Sequence, residues 1–199
     1  MMRADWELIA NWIKPNTRVL DLGCGEGELL KYLREVRNVS GLGLEIDDDN
    51  IAHCVGNGVD VIQADLEGRW HDYFSAQSFD YVLMTQTLQA VRNPDRVLDE
   101  MLRIAKETII TFYNMGYWKN RMQLFRGQMP VTTVLPAQWY QTENIHLCTI
   151  SDFEALCDKK KIHCKERAGV NHSYEVSLST RLLPNLMSEV ALYLLTHNR

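Results

Sequence analysis

Three glycines at alternate positions, Gly23, Gly25 and Gly27, follow directly on the apolar run RVLDL at 18–22 and lead into ELLKYL at 28–33, which has helical spacing. A glycine-rich turn between a strand and a helix brings backbone close to a ligand at the carboxyl end of a parallel sheet. Most such turns hold phosphate, yet this one sits among Asp21, Glu26 and Glu28. The dinucleotide pattern would need a glycine where Glu28 stands, and the phosphate loop would need Gly-Lys followed by Ser or Thr, which the sequence lacks. The loop therefore suits a ligand carrying cationic and hydroxyl groups.

Around this turn, helical and strand periods alternate. Trp6, Leu8, Ile9, Trp12 and Ile13 mark one face of an amino-terminal helix that Pro15 and Asn16 close. Strands are predicted at 18–22, 39–45, 59–63, 79–84 and 108–112. Helices are predicted at about 26–36, at 48–55, and from Pro94 through Val97, Leu98, Met101, Leu102 and Ala105. This rhythm predicts a parallel sheet with helices on both faces, joined by right-handed crossovers.

After Phe112 the period is lost. Residues 113–145 hold Tyr113, Tyr117, Trp118, Phe125, Trp139 and Tyr140, with Lys119, Arg121 and Arg126 against the single acid Glu143. An irregular insert or lid is expected there, one that also offers a partner surface. Ser151 with Glu154 reads as a capping box opening a helix through Phe153, Leu156 and Cys157, and Lys159, Lys160 and Lys161 fall at its end. Strands near 162–167 and 189–195 complete the reading.

A chain of 199 residues with 46% apolar and 24% charged residues has material for one sizeable core, so a single domain spanning 1–199 is expected. A net charge of -5 without a basic stripe argues against nucleic acid as partner. No apolar run approaches the roughly 18 residues of a membrane span, and Asp5 and Glu7 interrupt any signal-peptide core, so a cytoplasmic location is expected. The five cysteines form no CxxC pair and fit reduced thiols. His146, Cys148, Cys157, His163 and Cys164 match no zinc spacing, and no metal site is expected.

S-adenosylmethionine (SAM) satisfies the constraint set by the loop. It has no phosphate, but it has a sulfonium, an ammonium, a carboxylate and a ribose diol. Glu45, 22 residues after Gly23, closes the second strand at the offset where a carboxylate reaches a ribose diol. Asp65 ends the third strand, placed to accept from an adenine amino group while Leu66 packs on the ring.

These residues in register resemble the class I SAM-dependent methyltransferases. The resemblance implies a three-layer, Rossmann-like α/β fold of seven strands with the last antiparallel. It also implies that SAM or S-adenosylhomocysteine is held by Asp21, Gly23, Cys24, Gly25 and Gly27 of VLDLGCGEG, Glu45 and Ile46 of LEID, Asp65 and Leu66 of ADLE, and Thr85 and Gln86 after the fourth strand. A narrower resemblance covers nearly the whole chain. TQTLQA at 85–90, GQMPVT at 127–132, WYQTENIHLCTISDFEALC at 139–157 and LPNLMSE at 183–189 are similar to the methionine biosynthesis protein MetW family. That resemblance implies a SAM-binding accessory subunit acting with homoserine O-acyltransferase. The other reading is an active SAM-dependent methyltransferase on a small-molecule acceptor. MTQT at 84–87 replaces the Asn/Asp-Pro-Pro-aromatic run of amine methyltransferases, which disfavours that acceptor class. No general base announces itself. His146, flanked by Ile145 and Leu147, reads as a hydrogen-bonded structural histidine, and Tyr117 and Tyr140 are candidates for lining an acceptor pocket.

Overall fold

A computed structural model describes residues 4–132, 136–141, 146–171 and 175–197. The elements run α1 (Ala4–Trp12), β1 (Arg18–Leu22), α2 (Glu28–Arg37), β2 (Ser40–Glu45), α3 (Asp48–Gly56), β3 (Asp60–Gln63), β4 (Phe79–Thr85), α4 (Pro94–Ile104) and β5 (Ala105–Tyr113). They continue with α5 (Trp118–Phe125), α6 (Ile150–Lys160), β6 (Ile162–Val170), α7 (Leu178–Leu182), α8 (Pro184–Met187) and β7 (Val190–His197). The strands form one seven-stranded sheet in the order β3-β2-β1-β4-β5-β7-β6. The first five are parallel, and β7 enters antiparallel between β5 and β6.

The sheet is buried on both faces, which is why its central strands read as continuous apolar runs. Leu20, Leu22, Val82, Met84 and Ile110 pack into one core cluster, while Val19, Tyr81, Leu83 and Ile109 pack into the other, as strand alternation requires. Helix α4 covers the first face with Val97, Leu98, Met101, Leu102 and Ile104 buried. Helix α2 covers the second with Leu29, Leu30 and Leu33. Phe153 of α6 anchors that helix between β5 and β7, its ring centroid 4.8 Å from those of both Phe112 and Tyr193.

Two expectations change. The capping box of α6 is Thr149 with Asp152: the Thr149 hydroxyl accepts from Asp152 N at 3.2 Å, and Asp152 accepts from Thr149 N at 2.9 Å. Ser151 and Glu154 are engaged elsewhere, Ser151 accepting from Asn185 at 2.9 Å and Glu154 from Arg167 at 2.7 Å and Tyr193 at 2.9 Å. The 113–145 segment also contains a helix, α5, where an irregular insert was expected. Residues 133–135 and 142–145, Glu143 and Ile145 among them, lie outside the described residues.

Candidate functional site

The chain runs outward from β1 through β2 to β3, then returns to β4 on the other side of β1, so the topological switch point lies between β1 and β4. Asp21 pairs in register with Leu83 of β4 and Gly43 of β2, placing it at the carboxyl end of both neighbours. The loop that follows turns three times through positive φ, at 74° for Gly23, 54° for Gly25 and 76° for Gly27. At Gly23 a side chain is excluded twice over. The conformation strains L residues, and a Cβ would lie 2.9 Å from the Thr87 side chain. At Gly25 the Cβ position faces open space, leaving its backbone accessible.

Glu45 ties this loop to the end of β2. One carboxylate oxygen accepts from Gly25 N at 2.8 Å, and the other from Ile46 N at 2.8 Å and Asp47 N at 3.1 Å. Beneath the loop, the Cys24 sulfur lies 3.7 Å from that of Cys54, whose thiol donates to Gly25 O at 3.1 Å. Burial pushes both thiols up from their ordinary range, so Cys24 acts as packing under the turn.

Asp21 is 1% exposed, and its Oδ1 is buried without a hydrogen-bond partner among the described residues. Burial first, and the Glu45 charge second, push its carboxyl up to about 7. It borders a cavity of about 240 Å³ lined by Trp6, Glu26, Glu28 and Leu29 together with Gly23, Cys24, Gly25, Thr85 and Gln86. Gln86, in the same lining, stands at φ 60°. Its backbone N donates to Thr111 O at 2.9 Å, and its side-chain carbonyl accepts from Tyr113 OH at 2.7 Å. Pinned in this way, the buried Nε2 of Gln86 has no acceptor among the described residues.

The structure brings six of the expected positions, Asp21, Gly23, Cys24, Gly25, Thr85 and Gln86, onto one cavity. Glu45 borders it through Gly25, and Ile46 beside it is 59% exposed. Asp65 is exposed and accepts from Glu67 N at 2.8 Å, while Leu66 leans on the core. Gly27 opens α2 away from the lining. Trp6 and Tyr113 were not anticipated as site residues. Trp6 belongs to the helix face read as core, and only its half-buried state in the fold reveals it. Exposed His146 has its Nε2 3.0 Å from Arg92 O, and neither it nor Tyr117 or Tyr140 lines the cavity. Among the described residues no cluster suited to a metal occurs, and no helix is long and apolar enough to cross a membrane. A wider groove of about 760 Å³ follows α6 and edge strand β6, but it lies away from the switch point and Arg167 and Glu154 in it pair with each other at 2.7 Å.

Seven strands in this order, with a glycine turn at the switch point, define the class I SAM-dependent methyltransferase fold. A SAM-dependent methyltransferase from Archaeoglobus fulgidus superposes with a TM-score of 0.68 at 14% identity, covering 97% of this chain and 91% of that one. The cyclase SpnF superposes equally, with a TM-score of 0.68 at 15% identity, 98% of this chain and 81% of that one. A cyclase on the same frame shows that the fold alone does not fix the chemistry. The sequence profile of the family described as methionine biosynthesis protein MetW matches residues 3–195, and the chain belongs to that family. A bifunctional methionine biosynthesis protein MetXA/MetW of Rhodopirellula baltica is 34% identical over 165 residues, which are 78% of this chain and 26% of that protein. The chain spans about a quarter of the length of the curated relatives it matches.

Proposed function

We propose that this protein binds SAM or S-adenosylhomocysteine at the glycine turn and serves as an accessory subunit of homoserine O-acyltransferase in methionine biosynthesis. The observation that carries the cofactor reading is Asp21, whose buried Oδ1 has no partner among the described residues and which lines a cavity whose rim adds Glu26 and Glu28. An anionic ligand would meet three carboxylates there; an ammonium or sulfonium gives Asp21 the partner it lacks. The orphan Nε2 of Gln86 suits the ligand carboxylate. The one acceptor site left on Glu45, at the oxygen that takes Gly25 N, suits a ribose hydroxyl, exposed Ile46 the adenine face, and Asp65 with Leu66 the ring edge. Bound SAM would supply an electrophilic methyl group, and the residues on this wall would fix its orientation.

The accessory role draws on family membership and on the Rhodopirellula baltica relative, which carries both names on one polypeptide. Calorimetric titration of SAM tests the cofactor half, with heat expected from the wild type and none from Glu45→Ala. Co-purification with the homoserine O-acyltransferase of the same organism tests the other half. Transfer of a labelled methyl group to a small metabolite, without any such complex, would establish the methyltransferase instead.

A further inference from the structure

Helix α5 is built inside out. The two side chains it turns toward the protein are amides. Buried Asn120 donates to Asn114 O at 3.1 Å, and half-buried Gln123 both donates to Val131 O and accepts from Val131 N at 3.0 Å. Its outward side carries Trp118, Met122 and Phe125, which are 43%, 44% and 90% exposed. These stand at i, i+4 and i+7, so they share one face. Helical spacing sets Arg121 on one flank of that stripe and Lys119 and Arg126 on the other. No carboxylate occurs from 118 to 132, in a chain with 26 acids against 21 lysines and arginines. The Lys119 ammonium lies over the Trp118 and Tyr117 rings at 5.8 and 6.0 Å.

We infer that this stripe docks into an apolar groove rimmed by carboxylates on a protein partner. The inference rests on the accessory reading above and takes that partner to be homoserine O-acyltransferase. Anchors at i, i+4 and i+7 are how an amphipathic helix fills a groove. Trp, Phe, Met and Arg are the residues enriched at interface cores. Charge selects among occupants. Two copies of α5 packed against each other would oppose their own cations, and three cations fall short of the cluster of about four to eight that holds a helix to anionic headgroups. A carboxylate rim meets neither obstacle.

The double variant Met122→Ser/Phe125→Ser removes two solvent-exposed anchors, so its thermal midpoint and SAM titration serve as folding controls. Titrated against the acyltransferase of the same organism, it should bind at least about tenfold more weakly than wild type. Lys119→Glu/Arg126→Glu should slow association and flatten its salt dependence. If wild type and the serine variant bind alike, the surface is wrong and the accessory reading stands. If wild type does not bind the acyltransferase at all, that reading falls and this inference with it. A wild-type dimer in sedimentation that the serine variant loses would assign the stripe to a second copy. Wild-type binding to phosphatidylglycerol vesicles that the variant loses would assign it to a lipid surface. Either result overturns the proposed occupant.

Discussion

The floor of the glycine turn and the outer face of α5 break the same rule in opposite directions. At the first, a carboxylate is buried with an oxygen that nothing among the described residues satisfies. At the second, aromatic and thioether side chains stand in water while amides face inward. Helix α4, with five apolar side chains buried, shows what this chain does when packing alone decides. The two departures differ in the size of what could relieve them. One carboxylate beside about 240 Å³ needs a small cation; an apolar helical stripe needs a macromolecule.

The comparison is broken most easily at Asp21. Its folded pKa of about 7 stands above the unfolded value of 3.8, so between those values the folded state holds the extra proton. Stability from this group is complete below about pH 4 and is lost as pH rises through about 7, up to about 4 kcal/mol in all. Asp21→Asn, which does not titrate, should therefore be more stable than wild type at about pH 8 and similar to it at about pH 4, as urea denaturation would show. Wild-type affinity for SAM should rise between about pH 6 and 8, whereas the Asn variant should show a weak, flat profile by calorimetry. An unchanged denaturation midpoint at the higher pH would mean that Asp21 already has a partner.

A smaller effect is expected at Glu45. Glu45→Ala leaves three backbone N–H groups without their carboxylate acceptor and should cost about 1–3 kcal/mol. Glu45→Gln, which keeps one carbonyl acceptor, should lose less. Equal stability of the two variants would show that the loop holds its shape without this tie. The smallest effect belongs to the outer face: Phe125→Ser should leave unfolding free energy within about 0.5 kcal/mol of wild type. A larger loss would mean that the Phe125 ring packs against the protein itself, and the contrast with Asp21 would disappear.

Much of the sheet was legible because burial on both faces writes apolar runs into β1, β2, β4 and β5, and α4 has a clear period. Asp21 and its glycines were legible because their spacing within one turn is local. The double engagement of Glu45 was not, since Gly25 is 20 residues away in sequence and meets it only in the fold. Trp6 was hidden by its position on a helix face that also supplies Ile9 to the core. Helix α5 escaped because helical period is detected through an inward apolar face, and this helix has its apolar face outward. The α6 cap was misplaced by two residues because Thr149 and Ser151 both start a plausible box; the helix begins at Ile150, so Thr149 caps it and Ser151 lies inside, accepting from Asn185.

The place of β7 sets an order of assembly. Among the described residues strand β6 joins the sheet only through β7, which follows it in sequence. During synthesis β6 therefore emerges before the neighbour it needs, with no ladder to enter. Meanwhile the edge of β5 stays open. Both edges close together when Val190–His197 slides between them, pairing with β5 on one side and β6 on the other. Until then the five-stranded parallel sheet and its glycine turn can be complete while the carboxyl-terminal two-fifths, from α5 onward, is still unanchored. A chaperone or a nascent partner would thus meet the stripe on α5 before the molecule is finished.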